Sequence, residues 1–574
     1  MDNKTIPCNC TNSKYKDERL GHVLTGDLSI VENNNLRKLL TKGPKHREPK
    51  SINFDKARQC ISSGLQICVN KWCLGKGLPP HILSDWRNTV LKLVDSKISN
   101  LKNTHKFHNT KEVLKDEEVK LCLANLHSNF VVTPIDKANG NVAFICRRYY
   151  ALTIVKELGI ANENLSNTYC RVPHNLGPEI IKRNIEDLKE IYNIEVGEDQ
   201  HMLPHMYWLP KLHKNPPKPR FIVAAPNCTI KKLAQTLTSI LKLFFHQIKR
   251  YSQVCRHFSG INSFWVVENK TPVLDCMKKL SSRGRARSIS TFDFSTLYTK
   301  IPHDKLIFVL NELVDFCFKG GSKRYIAVKS SRAFWVDTIH QHKIVFTKDK
   351  IKEALTYLMS NCYFTVGSNV FRQIIGIPMG SDPAPFMANL FLYFYENKFI
   401  LEVKKVDIAR AKRFLYVFRF IDDLNALNDW DEFSKSYKDI YPPELELGKE
   451  NDDPSNASFL DLDISVENGK FIYSKYDKRD AFPFSIVRLP YKCSNIPCNM
   501  FYSSIAAEVL RIGRTSCSAV LFSTRTKPLV QRMIKQGAVS KDLVRVLKKT
   551  FSRHSEDLCH ITSDRSAFFD MVLA

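Results

Sequence analysis

The chain has 574 residues, 43% hydrophobic and 25% charged, with 86 Lys plus Arg against 58 Asp plus Glu and a formal net charge of +28. This length and balance allow two to four globular domains and exclude a fibrous or wholly disordered chain. The charge favours a polyanionic partner, since each phosphate neutralised releases condensed counterions, although alone it also fits histone-like binders, nucleases or membrane-surface proteins; no membrane-spanning segment is expected, because the greasiest stretch, 388–400, is short and carries Glu396 and Lys398, and no membrane partner is assigned.

The opening MDNKTIPCNC lacks an apolar signal core, so secretory targeting is not expected. The 17 cysteines are mostly scattered singly (Cys122, Cys146, Cys317, Cys362), as buried reduced thiols are in an intracellular protein. Cys8 and Cys10 with His22, or Cys60, Cys68 and Cys73, offer zinc ligands, but neither set has the paired spacing of a zinc site and none is assigned. Residues 1–120 read as a basic extension with short helical patterns and proline punctuation. FVVTPIDKANGNVAFI, from residue 130, predicts a hairpin turning at Asn139-Gly140. A proline-rich segment spans 208–226, and a helix should follow, because Leu233, Leu237, Ile240, Leu241 and Phe244 share a face.

From Ile289 onward strands and helices alternate. SISTFDFSTLY predicts a strand, IPHDKLIFVLNELVDF a helix starting near Pro302, CYFTVGSNVFRQ a hairpin, and MANLFLYFYENKFI a helix. YVFRFIDDLNAL predicts strand, turn, strand, and FLDLDISVENGKFIYSKY a hairpin turning at 467–469. Beyond Lys492 the pattern is helical: Ile505, Val509 and Ile512 share a face, Gly537 is a stop signal and Ser540 a cap for SKDLVRVLKKTF. The expectation is a mixed α+β fold with helices packed on a sheet.

Asp293 stands alone on an otherwise apolar strand, and Asp422-Asp423 sit at a tight turn between apolar strands. A buried unpaired carboxylate costs several kcal/mol, so three such acids in a basic chain invite divalent cations. Oxygen ligands suit Mg²⁺ (Mn²⁺ as a substitute), and two ions about 3.5–4 Å apart can activate a hydroxyl and stabilise a leaving pyrophosphate. Taken alone an Asp-Asp pair is more often a solvated turn, but here GIPMGSDPAP lies between the motifs and leads straight into an apolar helix.

Acid on a strand, Gly/Pro loop into a helix, acid pair on a hairpin: this order resembles the palm of reverse transcriptases, with FDFSTLYT, GIPMGSDPAP and FIDDL as the first, second and third palm motifs. The resemblance implies a right-hand polymerase whose Asp293, Asp422 and Asp423 bind two metal ions and catalyse transfer from dNTPs to a DNA primer on an RNA template. It also implies that Tyr298 is the steric gate against a ribose 2′-hydroxyl. Met379 stands before Gly380 where many of these enzymes have Gln, so both are nucleotide-contact candidates, Met379 with a softer apolar contact. KLHKNPPKPRFIV supplies Lys211, Lys214, Lys218 and Arg220, with Arg220 in the place of a phosphate-binding arginine, while Lys211 and Lys214 fit a basic solvated loop on the template backbone equally well. Lys137 is a second grip candidate, and Lys449 lies where a general acid can be supplied but reads first as a solvent-facing lysine. Asp461 and Asp463 read as structural or as a primer-side sheet edge, while Arg511, Arg514, Arg545, Lys548 and Lys549 suit a thumb holding an RNA–DNA hybrid by its backbone.

Within reverse transcriptases the chain resembles Penelope-like retroelements, relatives of telomerase, through NNNLRKLLTKGPKHREPKSINF, PIDKANGNVAFI, STLYTKIPHDKL, FLDLDI and a long segment, 318–375, between the first two palm motifs. No Gly-Ile-Tyr pair of the endonuclease found in many of them is recognised. The expected divisions are a basic extension (1–120), fingers (121–285), palm (286–488, with an insertion at about 318–375) and helical thumb (489–574), with nuclear location as expected of a retroelement enzyme. The competing expectation is an inactive or domesticated nucleic-acid-binding protein that kept the fold.

Overall fold

The computed structural model describes residues 10, 13–48, 53–104, 112–160, 167–173, 175–319, 324–339, 342–429 and 431–573. At its centre, four antiparallel strands lie in the order Val417–Phe420, Asp423–Leu427, Ile289–Phe294, Leu447–Lys449. Successive side chains leave a strand on opposite faces. Phe292, Phe294, Leu424 and Ala426 accordingly face a helical layer, where they share a core with Phe391 of helix Ala384–Val406, Leu310 of His303–Lys319, Phe244 of Lys231–Ser259 and Leu355 of Lys348–Ser360. Helix Ala384–Val406 is apolar on nearly every side, as befits a helix buried all round. On the other face Ile289, Leu427 and Phe418 pack against the sheet Asn456–Phe459, Leu462–Glu467, Lys470–Lys475 and helix Thr271–Ser281. Asp293 and Asp423 continue that second face past its last apolar contacts.

Two further sheets adjoin this core. One takes Tyr169–Val172, Asn369–Gln373, Tyr363–Val366, His205–Lys211 and Lys218–Ala224. Segment 318–375 is therefore not a separate insertion: its hairpin completes this sheet, helix Lys348–Ser360 fills the central core, and only Tyr325–Lys329, Arg332–Val336 and Val345–Phe346 form a small sheet of their own. The other sheet orders Lys16–Asp17, His22–Thr25, Ala138–Cys146 and Phe130–Ile135. Its hairpin turns at Asp136-Lys137, not at Asn139-Gly140. Ile135 pairs with Ala138, and Lys137 adopts φ +64°, the left-handed backbone that a two-residue turn demands. Gly140 instead lies inside a strand, where a β-carbon would come within 2.1 Å of the Val487 carbonyl.

The amino-terminal region holds longer helices than its sequence suggests, Phe54–Lys76 and Pro80–Thr104, packed on each other. Residues 49–52 of the upstream motif, and Cys8, lie outside the described residues. The carboxy-terminal region is a helical bundle around Ile505, Val509, Ile512, Phe522, Leu543 and Phe568. Gly537 ends a helix with φ +99°, whereas Ser540 is the first residue of Ser540–Arg553 and makes no capping hydrogen bond. Among the described residues no helix is long and apolar enough to cross a membrane.

Candidate active site

The strand register delivers the acids. Asp293, next to last in its strand, pairs directly with Asp423 on one side and with Gly448 on the other. Phe420 pairs with Asp423, so Ile421 and Asp422 are the whole of the turn. Ile421 takes φ +56°, a strained conformation for a β-branched residue. A buried clamp holds it there. Arg419, fully buried, donates from Nη1 to the Ile421 carbonyl (3.0 Å) and to Asn389 Oδ1 (2.8 Å), and its Nε pairs with Glu396, also fully buried. Tyr441 Oη donates to the same Glu396 carboxylate at 2.9 Å. Neither Arg419 nor Glu396 was anticipated as part of the site. The signal was present as a lone charge in the apolar segment FRFI and as Glu396 within the apolar helix pattern around FYENKF.

The three acids crowd one another without a cation. Asp293 is pushed up to about 6 by burial first and then by Asp422, Asp423 and Glu450; Asp423 also rises to about 6, through burial and then Asp422. Among the described residues no ion pair and no side-chain hydrogen bond engages any of the three carboxylates. Their ligand atoms do not all lie within 4.8 Å of one another, as those of one compact cluster would. Carboxylates that surround two ions rather than one have no need to. Lys478 opposes both elevated acids from a distance, and Lys137 opposes Asp423; Lys478 is a neighbour that its sequence context did not announce.

The chain is similar to solved telomerases. A telomerase from Candida albicans in complex with the TWJ fragment of telomeric RNA is 11% identical, with 81% of this chain and 75% of that one covered at a TM-score of 0.49. An apo telomerase from Candida Tropicalis is 11% identical, with 93% and 88% covered at 0.43. An RNA-dependent RNA polymerase is 11% identical, with 63% and 27% covered at 0.33. No protein-family model and no curated protein matches the chain. At these identities and scores the reading of the site rests on its own geometry.

Tyr298 lies not on the strand but on the short helix Leu297–Lys300 that follows it. It is half-buried, and its hydroxyl is pushed up to about 12 by burial and then by Asp422, which places it beside the acids. Its carbonyl accepts from Ile377 N (2.7 Å), fastening it to the Gly/Pro loop. The two glycines of that loop serve backbone approach within the chain. A β-carbon on Gly376 would meet the Tyr298 carbonyl at 2.4 Å, and one on Gly380 the Val223 carbonyl at 2.2 Å. Met379 joins the same seam, its carbonyl accepting from Val223 N at 2.8 Å.

A basic cluster shares the strand that forms that seam. Arg220 Nη1 lies 3.3 Å from buried Asp136, next to Lys137, so the two candidate grips form one cluster. Lys211, half-buried, is held below the usual lysine range by burial and then by Arg220, with Lys214 and Lys137 adding to the effect. Lys218 stands directly across from Lys211, and Lys214 is exposed at the hairpin end. Like charges facing each other are unfavourable unless an anion joins them. Lys449 pairs with Phe292, which puts it on the sheet face opposite Asp293 and away from a general-acid position. Asp461 ion-pairs with Lys270 (2.6 Å) and Arg511 (3.3 Å), Arg514 with Asp557 (2.8 Å) and Arg545 with Asp542 (3.4 Å), so these basic residues already have partners.

Proposed function

We propose that the chain is a template-directed nucleotidyltransferase, and specifically an RNA-directed DNA polymerase of a Penelope-like retroelement acting in the nucleus. The observation that carries the enzymatic reading is the pairing of Asp293 with Asp423 beside Asp422 at the turn, three acids that no ion pair among the described residues engages and that Lys478 and Lys137 oppose only from a distance. The elevation of Asp293 and Asp423 is what a divalent-cation site without its ions should display, and a hard oxygen donor set fits Mg²⁺ or Mn²⁺. Those ions, when bound, supply a primer 3′-hydroxyl of lowered pKa and charge neutralisation at the leaving pyrophosphate.

The chain's own residues divide the remaining work. Arg419 and Glu396 keep the Ile421-Asp422 turn in the conformation that presents both acids on one side. Lys137, Lys211, Lys214, Lys218 and Arg220 offer positive charge to a triphosphate, with Asp136 orienting the Arg220 fork. Tyr298, anchored through its carbonyl, offers an aromatic wall beside the acids, suited to a deoxyribose and too close for a 2′-hydroxyl. Met379 and Gly380 shape the loop beside that wall. The basic carboxy-terminal helices suit the backbone of an RNA–DNA hybrid, exchanging surface ion pairs worth at most about 1 kcal/mol for phosphates.

Primer extension is the test. The chain should add dNTPs to a DNA primer on RNA with Mg²⁺, and Asp422→Ala should lower the rate by at least about 1000-fold, roughly 4 kcal/mol of lost transition-state stabilisation. A clean preparation that binds template and primer yet extends nothing with any divalent metal would identify a non-catalytic binding protein. Tyr298→Ala should reduce dNTP-over-NTP preference; an unchanged preference removes the gate.

A further inference from the structure

Remote from the acids, three metal-ligating side chains from distant parts of the chain meet. The ligand atoms of Cys10, His22 and Cys146 all lie within 4.8 Å of one another, the one such group of His, Cys, Asp and Glu among the described residues. Cys10 Sγ is 3.3 Å from His22 Nδ1. With Zn–S near 2.3 Å and Zn–N near 2.0–2.1 Å, tetrahedral ligands stand about 3.6 Å apart, so little movement separates this arrangement from a coordination shell. Both cysteines are buried, at 6% and 2% exposure, and Val23, Tyr15, Ile30, Phe130 and Tyr149 wall the cluster with apolar surface. The Tyr149 ring stacks on His22 at 5.5 Å, which fixes the imidazole plane.

We propose that Cys10, His22 and Cys146 bind a structural zinc ion. Two thiolates balance its charge, and a soft sulfur–nitrogen set selects zinc over the hard cations suited to the carboxylate site. The ion has a mechanical meaning. His22 begins a strand of the amino-terminal ribbon, where Leu24 and Thr25 pair with Ile145 and Phe144, while Cys146 ends the strand that starts at Ala138, just beyond Lys137. Zinc therefore staples the ribbon to the root of the hairpin that carries Lys137. These residues supply three of the four positions of a tetrahedral zinc; Cys8, two residues before Cys10, lies outside the described residues.

The test is metal content of the full chain, free of any affinity tag, expressed with zinc and dialysed. One zinc per chain should remain. Cys10→Ser and Cys146→Ser should each lower occupancy about tenfold or more, whereas Cys60→Ser should leave it unchanged. Cobalt exchanged into the unmutated chain should give tetrahedral visible bands with sulfur-to-cobalt charge transfer, a readout that survives misfolding of the variants. A folded chain that holds no zinc after reconstitution, a zinc content indifferent to both serine variants or lost in Cys60→Ser, or a cobalt spectrum without thiolate bands overturns the proposal. None of these outcomes bears on nucleotide addition, so the two readings fail separately.

Discussion

Two groups of aspartates in this chain have opposite electrostatics. Asp293 and Asp423 sit against each other with Asp422 alongside, and both are raised to about 6. Asp477, just past the last strand of the neighbouring sheet, is similarly buried but receives Arg479 Nη2 at 2.8 Å and Arg488 Nη1 at 2.7 Å, and is held down to about 2 despite its burial. Glu396, fully buried beneath the turn, also has a cation of the chain beside it, Arg419. Burial alone thus says little about an acid's task. What distinguishes a cation site from structural glue is whether the chain itself supplies the positive charge.

The comparison breaks most severely at the clamp. Arg419→Met leaves Glu396 buried without its partner and should destabilise the chain by about 3–5 kcal/mol in urea unfolding. Pairing it with Glu396→Leu should restore most of the stability without restoring primer extension, because the Ile421 carbonyl still lacks its donor. If the double variant extends primers normally, Arg419 is structural only.

Next in size is Asp423→Asn. A carboxyl raised from 3.8 to about 6 on folding adds stability that is complete below pH 4 and is lost as the pH rises through 6. The metal-free protein should therefore lose stability between pH 4 and about 7, and the variant should be more stable than the parent at pH 7 by on the order of 2 kcal/mol while losing activity. Mg²⁺ should raise the melting temperature of the parent and not of the variant. A magnesium-insensitive parent would remove the metal site.

The smallest effect is expected at Asp477. Its lowered pKa contributes stability present above about pH 4 and lost as the pH falls through 2. Asp477→Asn should cost about 1–2 kcal/mol at pH 7, after allowance for solvent screening, and nothing near pH 2. A gain in stability at pH 7 would erase the contrast between the two groups.

Much of the central architecture was legible because it is written in short motifs. The strand ending at Phe294, the helix from His303, the FIDDL hairpin and the long helix after Pro383 all fall where period and turn residues place them. The elements misjudged were those settled by competition between distant segments. Asn139-Gly140 carries a strong local turn signal, but Val487 needs the space that Gly140 leaves, and the turn moved to Asp136-Lys137. Tyr298 lies beyond its strand on a short helix, with its carbonyl held by Ile377 of the Gly/Pro loop.

The sequence by itself determined in what order the central elements follow and where Asp293 and Asp422-Asp423 stand within them, since both depend on residue type and short-range spacing. Tertiary structure alone decided that Arg419 holds the Ile421 carbonyl while pairing with Glu396, that Arg220 reaches Asp136 beside Lys137, and that Cys146 joins Cys10 and His22. Such encounters depend on how remote segments pack, and neither backbone period nor local propensity encodes a distance between them.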